Sequence, residues 1–342
     1  MSSSLTDRRK DRSKLRISTF NADYLFSDCG SHWKGCPWPD KMAAKVHLQN
    51  IARTIGALDA DIVNICEVHS CHELTQLTEL MKPHGYTSYL ISAGTDHATG
   101  QNVGLLTRVD PAAALQRSSK RAAFPLPGSP CGYLGDPDTT GVSKHQLATF
   151  SLRVGGGSGK SGVSNGEGGG GGKSGVSNEE PDTAVWITLV GAHLVAQPTD
   201  PERCAKREAQ AVVLRAALEP HLAAGREVIL FGDLNDFDGG VVDSSGNQPS
   251  SRVLEILKGN VVPDGGSGIA RQERYTDWWD RDGDCRVSGP GELSMLDHVL
   301  VTSGLRRAVT RATVVHSAYG AACTNSTRFV SDHWPVLVEI DL

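Results

Sequence analysis

The sequence predicts an α/β or α+β domain with a layered core. Three observations carry this. Short apolar runs of strand length recur along the chain, longer stretches with helical periodicity separate them, and polar residues cluster where the runs end. The 342 residues are 39% hydrophobic and 21% charged, which suits one large domain with insertions as well as two domains.

The first strand reads from Lys14 to Asn21 and ends in Asn21-Ala-Asp23. A loop with Trp33, Pro37, Trp38 and Pro39 follows. Asp40 then starts a helix with Val46, Leu48, Ile51, Ile55 and Leu58 on its apolar face. A second strand, Asp61 to Glu67, ends in an acid, and a helix from His72 to about Met81 turns Leu74, Leu77 and Leu80 inward. Residues 87–92 and 102–107 read as neighbouring strands joined by a polar loop with Asp96, His97 and Gln101. Residues 109–143 are rich in Pro and Gly and read as surface loop.

A strand at 146–154 leads into low complexity. Gly-Lys-Ser-Gly-Val-Ser-Asn occurs twice within 155–180, read as a flexible insertion at a hairpin tip. Neither Gly-Lys-Ser has the upstream Gly of a phosphate-binding loop. Val185 to Ala192 forms a strand ending in His193. Thr199-Asp200-Pro201-Glu202 is a helix start, and that helix runs to about His221 with Val212, Val213, Leu214 and Leu218 as core candidates. Val228 to Phe231 is a buried strand that stops at Gly232 and releases Asp233, Asn235 and Asp236 at its C-terminal end, where open α/β sheets bind ligands. A short helix near 252–257, a strand from Asp297 to Val301 and a last strand from Val336 to Ile340 complete the order.

Net charge is −5 and no long apolar run is present, so neither a global basic field nor a transmembrane helix is expected. Nucleic acid would need local cations or metal ions. Residues 1–14 read as a disordered basic tail, with an import or phosphate-binding arm as the other reading, and 15–342 as the folded domain. No secretory signal is visible, which points to a cytoplasmic or nuclear compartment and to reduced thiols for the eight cysteines. Cys29 with Cys36, and Cys285 with Cys323, remain possible loop staples. No Cys-x-x-Cys pair suggests zinc, and His69, His72 and Glu73 lack the spacing of a helical zinc pair.

Residues with chemistry gather at strand ends: Asn21, Asp23, Glu67, His193, Asp233, Asn235, Asp297, Asp332 and His333. Each alone has a bland reading, as a turn acid or a core histidine. Together, acids and amides without cysteine favour a hard cation such as Mg²⁺ or Mn²⁺. Such an ion beside a His–Asp pair suits displacement at a phosphodiester.

Six collinear motifs resemble the endonuclease/exonuclease/phosphatase superfamily, the DNase I-like fold. They are Thr19-Phe-Asn-Ala-Asp23, Ile65-Cys-Glu-Val68, Gly191-Ala-His-Leu194, Gly232-Asp-Leu-Asn235, Leu296-Asp-His-Val-Leu300 and Ser331-Asp-His-Trp-Pro-Val336. The resemblance implies a four-layer α/β/β/α sandwich with a divalent-metal site at one edge. It implies Glu67 as metal ligand with Asn21 beside it, and Asp23 and Asp332 as ligands or partners of ligands. Asp233 and Asn235 would orient water and hold the phosphate. His333, polarised by Asp297, would be a base or a phosphate-binding cation, and His193 would donate to the phosphate or the leaving oxygen. Whether Asp233 or His333 takes the water's proton stays open.

Gly-x-His-Leu is closer to the DNase I, sphingomyelinase and deadenylase branches than to the apurinic-site endonucleases. Glu67-Val68 and the run from Tyr275 to Leu300 are similar to bacterial extracellular-type nucleases. One departure stands out: Gln101 occupies the place of the acid that partners the DNase I histidine. Gln101, Asn102 and Arg207 are expected to bind substrate, Arg207 as part of a basic helix face with Arg203 and Lys206.

Three classes follow: a metal-dependent nuclease acting as a monomer; a phosphomonoesterase or lipid phosphodiesterase of inositol-phosphate or sphingomyelinase type; and a non-catalytic binding module. Ser294-Met-Leu-Asp297 replaces the inositol phosphatases' Trp-Cys-Asp-Arg, and no site motif is lost. Asp280, Asp282 and Asp284 begin like a calcium loop, but Cys285 and Gly291 stand where its Gly and Glu belong, so a structural Ca²⁺ competes with a polar turn. Trp278 and Trp279 are candidates for stacking on bases or for packing.

Overall fold

The computed structural model describes residues 6–29, 35–91, 99–153, 184–259, 269–323 and 326–342. The Gly-rich insertion, Trp33, Asp96 and His97 lie outside the described residues.

In chain order the strands are β1 (Lys14–Leu25), β2 (Ile62–Val68), β3 (Thr87–Tyr89), β4 (Asn102–Thr107), β5 (Ala122–Phe124), β6 (Asp138–Thr140), β7 (His145–Arg153), β8 (Ala184–His193), β9 (Glu227–Asp233), β10 (Asp277–Trp278), β11 (Leu293–Ser294), β12 (Asp297–Val301), β13 (Val309–Val314) and β14 (Val336–Asp341). The helices are α1 (Lys41–Leu58), α2 (Cys71–Met81), α3 (Pro201–Ala223), α4 (Val253–Lys258) and α5 (Ser303–Ala308).

Two main sheets result. One has the order β13-β14-β1-β2-β4-β3 and the other β12-β9-β8-β7. Each is built around one parallel pair, β1 with β2 and β8 with β9, flanked by antiparallel neighbours. Parallel neighbours need a crossover, and α1 and α3 supply it.

The period-2 alternation sorts side chains between layers. Leu15, Ile17, Ile62, Leu105, Phe150, Leu189, Ile229 and Phe231 fill the space between the sheets. Phe20, Val63, Ile65 and Leu106 point the other way, onto Ile51 and Ile55 of α1 and Leu74 and Leu77 of α2. Val190, Val228 and Leu230 meet Val213, Leu214 and Leu218 of α3 and Leu254 of α4. This is the four-layer α/β/β/α sandwich.

Local signals behave as their chemistry requires. The Asp40 side chain accepts from the N–H groups of Met42 and Ala43, and Asp200 from that of Arg203. Leu80 is a correction: it is 44% exposed, because α2 has only one buried face and Leu74, Leu77 and Met81 fill it. Val46, Leu48 and Val212 are half-buried rather than core.

The first residues also differ from expectation. Asp7 bridges to Val109, the Arg8 N–H donates to the Arg108 carbonyl, and Arg9 is buried, donating to Asp7 and to the Arg153 carbonyl. Residues 6–13 therefore pack on the domain, held by charge-assisted bonds that composition alone does not reveal. The loop at 109–143 contains the β5–β6 hairpin.

The cysteines depart from the reduced-thiol reading. Cys29–Cys36, Cys131–Cys204 and Cys285–Cys323 are disulfides, and Cys66 and Cys71 are free. Cys131–Cys204 ties the 109–143 segment to α3 across 73 residues, a separation no spacing rule would pick out.

Candidate active site

The carboxyl ends of both parallel pairs meet at one rim. β1 brings Asn21, β2 Glu67, β8 His193 and β9 Asp233. Two glycines allow the approach. A Cβ on Gly191 would lie 1.9 Å from Asn64 Oδ1, and one on Gly232, at φ +150°, 1.8 Å from the Ala192 carbonyl. The backbone is strained at the same rim: Asp23, Tyr24, Glu67 and Asn235 all have positive φ. Register shifts between Asn21 and Leu25 and between Ile65 and Val68 bulge both strands where these side chains emerge.

Asn21 joins the two halves. Its Nδ2 donates to Glu67 Oε1 at 3.3 Å and to Asp233 Oδ2 at 3.1 Å, while its Oδ1 accepts from the Asp23 N–H. It thus offers Glu67 a donor rather than an oxygen. Glu67 Oε2 accepts from the Tyr24 N–H at 3.0 Å. His193 Nε2 lies 3.5 Å from Asp233 Oδ2 and 3.9 Å from Glu67 Oε1. Asp233 Oδ1 accepts from the Asn235 N–H, and Asn235 Nδ2 donates to the Leu194 carbonyl.

His333 stands across from this group, its Nδ1 2.7 Å from Asp297 Oδ2. Its Nε2 faces Asp277 at 3.4 Å, Asp233 at 3.9 Å and Asp332 at 4.0 Å. Ser331 fixes the segment by donating to the Asn21 carbonyl and accepting from the His333 N–H.

Electrostatics follow from burial and crowding. Burial, with Asp332 and Glu67 nearby, raises the Asp23 carboxyl well above the usual range. Glu67 is raised by burial and Asp332, with Lys144 acting the other way. Burial, with Asp297 and Asp277 beside it and His333 opposing, pushes Asp233 up to about 8. Burial brings Asp277 up to about 7, His333 again opposing. Burial opposes charge on His333, but Asp297 and Asp233 outweigh it and hold the ring protonated well above its ordinary range. His193 is driven the other way, by burial and by Lys144 and His333.

Asp23, Glu67 and Asp332 converge closely enough for each to disfavour ionisation of a neighbour. An all-oxygen set of this kind fits a hard divalent cation, which would relieve that repulsion. Asp233, Asp297 and His333 form one group able to hold an ion, and Asp277, Asp332 and His333 another. Asp280, Asp282 and Asp284 also cluster, but their oxygens accept from local N–H groups, as in a polar turn.

Among the residues expected to bind substrate, Arg207 is corrected. It is fully buried and turned inward, with Nε on Asp236 Oδ2 at 2.9 Å and its other nitrogens on the carbonyls of Val195, Ala196, Gln197 and Pro198. The basic spacing of α3 did not reveal which face packs. Gln101 is buried with Oε1 accepting from Lys144 and Thr99, and Asn102 Nδ2 donates to the His69 carbonyl. Sequence reasoning missed Asp277, although it lies in the Tyr275–Leu300 run, and missed Lys144, which no motif marks. Trp278 is buried and Trp279 is 64% exposed beside Arg281.

The chain belongs to the Endonuclease/Exonuclease/phosphatase family, which it matches over residues 19–333. It is a hydrolytic enzyme of that family, and the family generally uses divalent metals. Its fold is similar to that of humanised D. rerio TDP2 (14% identity, 96% of this chain and 100% of that one, TM-score 0.51). It is equally similar to truncated Caenorhabditis elegans TDP2 (15%, 96% and 98%, TM-score 0.51). A Neisseria 3′ phosphatase, NExo, bound to product DNA hairpin, matches at 16% identity, 96% and 100% coverage and TM-score 0.52. No curated protein sequence matches it.

Proposed function

We propose that this protein is a divalent-metal-dependent phosphodiesterase that cleaves DNA or RNA by attack of an activated water. The observation that carries the reading is the meeting of Glu67 and Asn21, His193, Asp233 and Asn235, and the Asp297–His333 pair at one rim. Mg²⁺ or Mn²⁺, held by Glu67 with Asp23 and Asp332 beside it, would neutralise charge on the phosphoryl oxygens. Asn21, with its amide nitrogen on Glu67 and Asp233, spaces these two carboxylates and would complete the ligand set with its oxygen only after an amide flip.

The rest is work for side chains. Both ring nitrogens of His333 face carboxylates, which suits an imidazolium and leaves no lone pair to accept a proton. His333 therefore serves as a cation toward the phosphate, and Asp233 takes the water's proton. One N–H of the Asn235 amide is committed to Leu194, leaving the second for a phosphate oxygen. His193, close to both Glu67 and Asp233, is placed to donate to a phosphate or leaving oxygen.

A polynucleotide is preferred over a small phosphoester because a protein of this fold, NExo, is seen with a DNA hairpin. Three disulfides favour an oxidising compartment over the cytoplasm or nucleus. No described helix is long and apolar enough to cross a membrane. A hydrolysis panel of duplex DNA, single-stranded DNA, RNA, inositol phosphates and sphingomyelin tests the assignment. Fastest turnover of a polynucleotide is expected. Turnover confined to a lipid or inositol phosphate would move the substrate class and keep the site.

A further inference from the structure

One layer beneath the rim, a polar contact joins the two sheets. Parallel pairing sets Thr19 of β1 beside Asn64 of β2, and Gly191 of β8 beside Phe231 of β9. Two residues further along the same strands stand Asn21, Cys66, His193 and Asp233. Residues two apart on a strand share a face, so this layer lies roughly 7 Å below the rim.

Asn64 spans the gap. It is fully buried, and its Nδ2 is shared among Thr19 Oγ1 at 3.2 Å, the Phe231 carbonyl of the other sheet at 3.5 Å and Cys66 Sγ at 3.7 Å. A carbonyl can only accept, which fixes the nitrogen on that side and turns Oδ1 toward Gly191. There a Cβ would lie 1.9 Å from Oδ1 and 2.9 Å from Cγ, so only glycine leaves room for the amide. Oδ1 has no hydrogen-bond partner among the described residues. From β2, one side chain thus reaches β1, β8 and β9, the strands that carry Asn21, His193 and Asp233. Cys66 adds a weaker bridge, its Sγ donating to the Ala192 carbonyl at 3.6 Å. Deeper between the sheets the filling is apolar, with Ile17, Ile62, Leu189 and Ile229. Apolar contact is non-directional, whereas an amide held by a carbonyl is directional and loses its bond if the sheets slip.

We infer that Asn64 is a positioning residue of this site. With Gly191 as its counterpart, it sets how the β1–β2 side of the rim stands against the β8–β9 side, and so the spacing of Glu67 from His193 and Asp233. The inference rests on the phosphoesterase reading above and adds a residue that lies beneath the reacting groups rather than among them. Misplacing such groups by about 1 Å can cost about 100-fold in rate.

The test is steady-state hydrolysis of a single-stranded DNA oligonucleotide and of bis(4-nitrophenyl) phosphate by the full chain, with thermal melting of each protein. The variants are Asn64→Leu, Asn64→Ala, Gly191→Ala and the double variant Asn64→Ala with Gly191→Ala. Asn64→Leu keeps the volume and removes the donors. It should lower kcat about 10- to 100-fold, change KM less than about threefold and keep a cooperative melt close to that of the wild type. Gly191→Ala should lose more than Asn64→Ala in kcat and in melting temperature. The double variant should recover at least about tenfold in kcat over Gly191→Ala, because deleting the amide makes room for the methyl group. Where Gly191→Ala does not fold, Asn64→Leu decides. A residue with a structural role alone would lower the melting temperature and leave kcat of the folded protein within about threefold of wild type. That result overturns the inference, as does a double variant no better than an active Gly191→Ala, and both leave the phosphoesterase reading standing. Absence of turnover by the wild type on both substrates removes that reading and the inference with it.

Discussion

His333 Nδ1 and Asp297 Oδ2 are 2.7 Å apart, both buried, and drawn from segments 36 residues apart in sequence. The contact fixes the ring's orientation and turns Nε2 toward Asp277 and Asp233. Asp297→Asn keeps the shape and removes the charge. Turnover should fall about 100- to 10,000-fold, the range for a group acting on the reacting protons and charges. Circular dichroism and melting should show an intact fold. Near-normal kcat in Asp297→Asn would remove His333 from the machinery.

Asp277 faces the other nitrogen of the same ring at 3.4 Å. If both carboxylates hold the imidazolium, Asp277→Asn should weaken it without abolishing it. The expected effect is a kcat reduction of about tenfold, and the double variant with Asp297→Asn should lose less than the product of the single losses, because both act through one ring. A strictly multiplicative cycle would separate the two residues.

Arg207 holds the turn after β9 to the loop after β8, through Asp236 on one side and four carbonyls on the other. Breaking a buried pair by removing one partner costs about 3–5 kcal/mol. Urea unfolding of Arg207→Met should show a loss of that size, together with reduced turnover because His193 and Asn235 flank the loop and turn it secures. A loss below about 1 kcal/mol would contradict this account of the residue.

His145 is buried, accepting from the Ser118 N–H and set against the Val142 carbonyl, and burial lowers it to about 4. Its folded value lies below that of the unfolded chain, so the unfolded chain binds the proton more readily. The contribution is fully present above about pH 6.5 and is lost as pH falls toward 4, amounting to about 3 kcal/mol. His145→Gln should flatten the stability profile over that window. An unchanged slope would show that the ring titrates normally.

Cys131–Cys204 closes the longest of the three disulfide loops, 73 residues in sequence. Cys131→Ser with Cys204→Ser should cost about 2–4 kcal/mol, measured by denaturant unfolding under non-reducing conditions. Equal stability of the two proteins would mean that this bridge constrains little.

The layered fold and most of the rim were legible because strands with an inward and an outward face leave a period-2 pattern, and because motif residues follow strand ends. Asn21, Glu67, His193, Asp233, Asn235, Asp297 and His333 do meet, and Asp23 and Asp332 stand close enough to act on them electrostatically. Other features were not legible, for physical reasons. Asp277 sits on a two-residue strand whose pairing with Ser294 has no periodicity to read. Lys144 is brought beside His193 by the pairing of β7 with β8, which sequence spacing does not show. Arg207 faces inward because its partner Asp236 is delivered from another strand end, which helix spacing cannot show. The disulfides depend on Cα separations of 5.3–5.6 Å across distant segments.

The most direct test of the central claim compares wild type with Glu67→Gln on bis(4-nitrophenyl) phosphate and on a DNA oligonucleotide, in Mg²⁺, Mn²⁺ and EDTA. Glu67 is the acid that β2 brings to the rim, bonded to Asn21 at 3.3 Å and 3.9 Å from His193. Metal-dependent hydrolysis by the wild type is expected, with none in EDTA and a loss of at least about 100-fold in Glu67→Gln with its fold preserved. Hydrolysis that persists in EDTA, or survives the substitution, would contradict the metal-dependent mechanism.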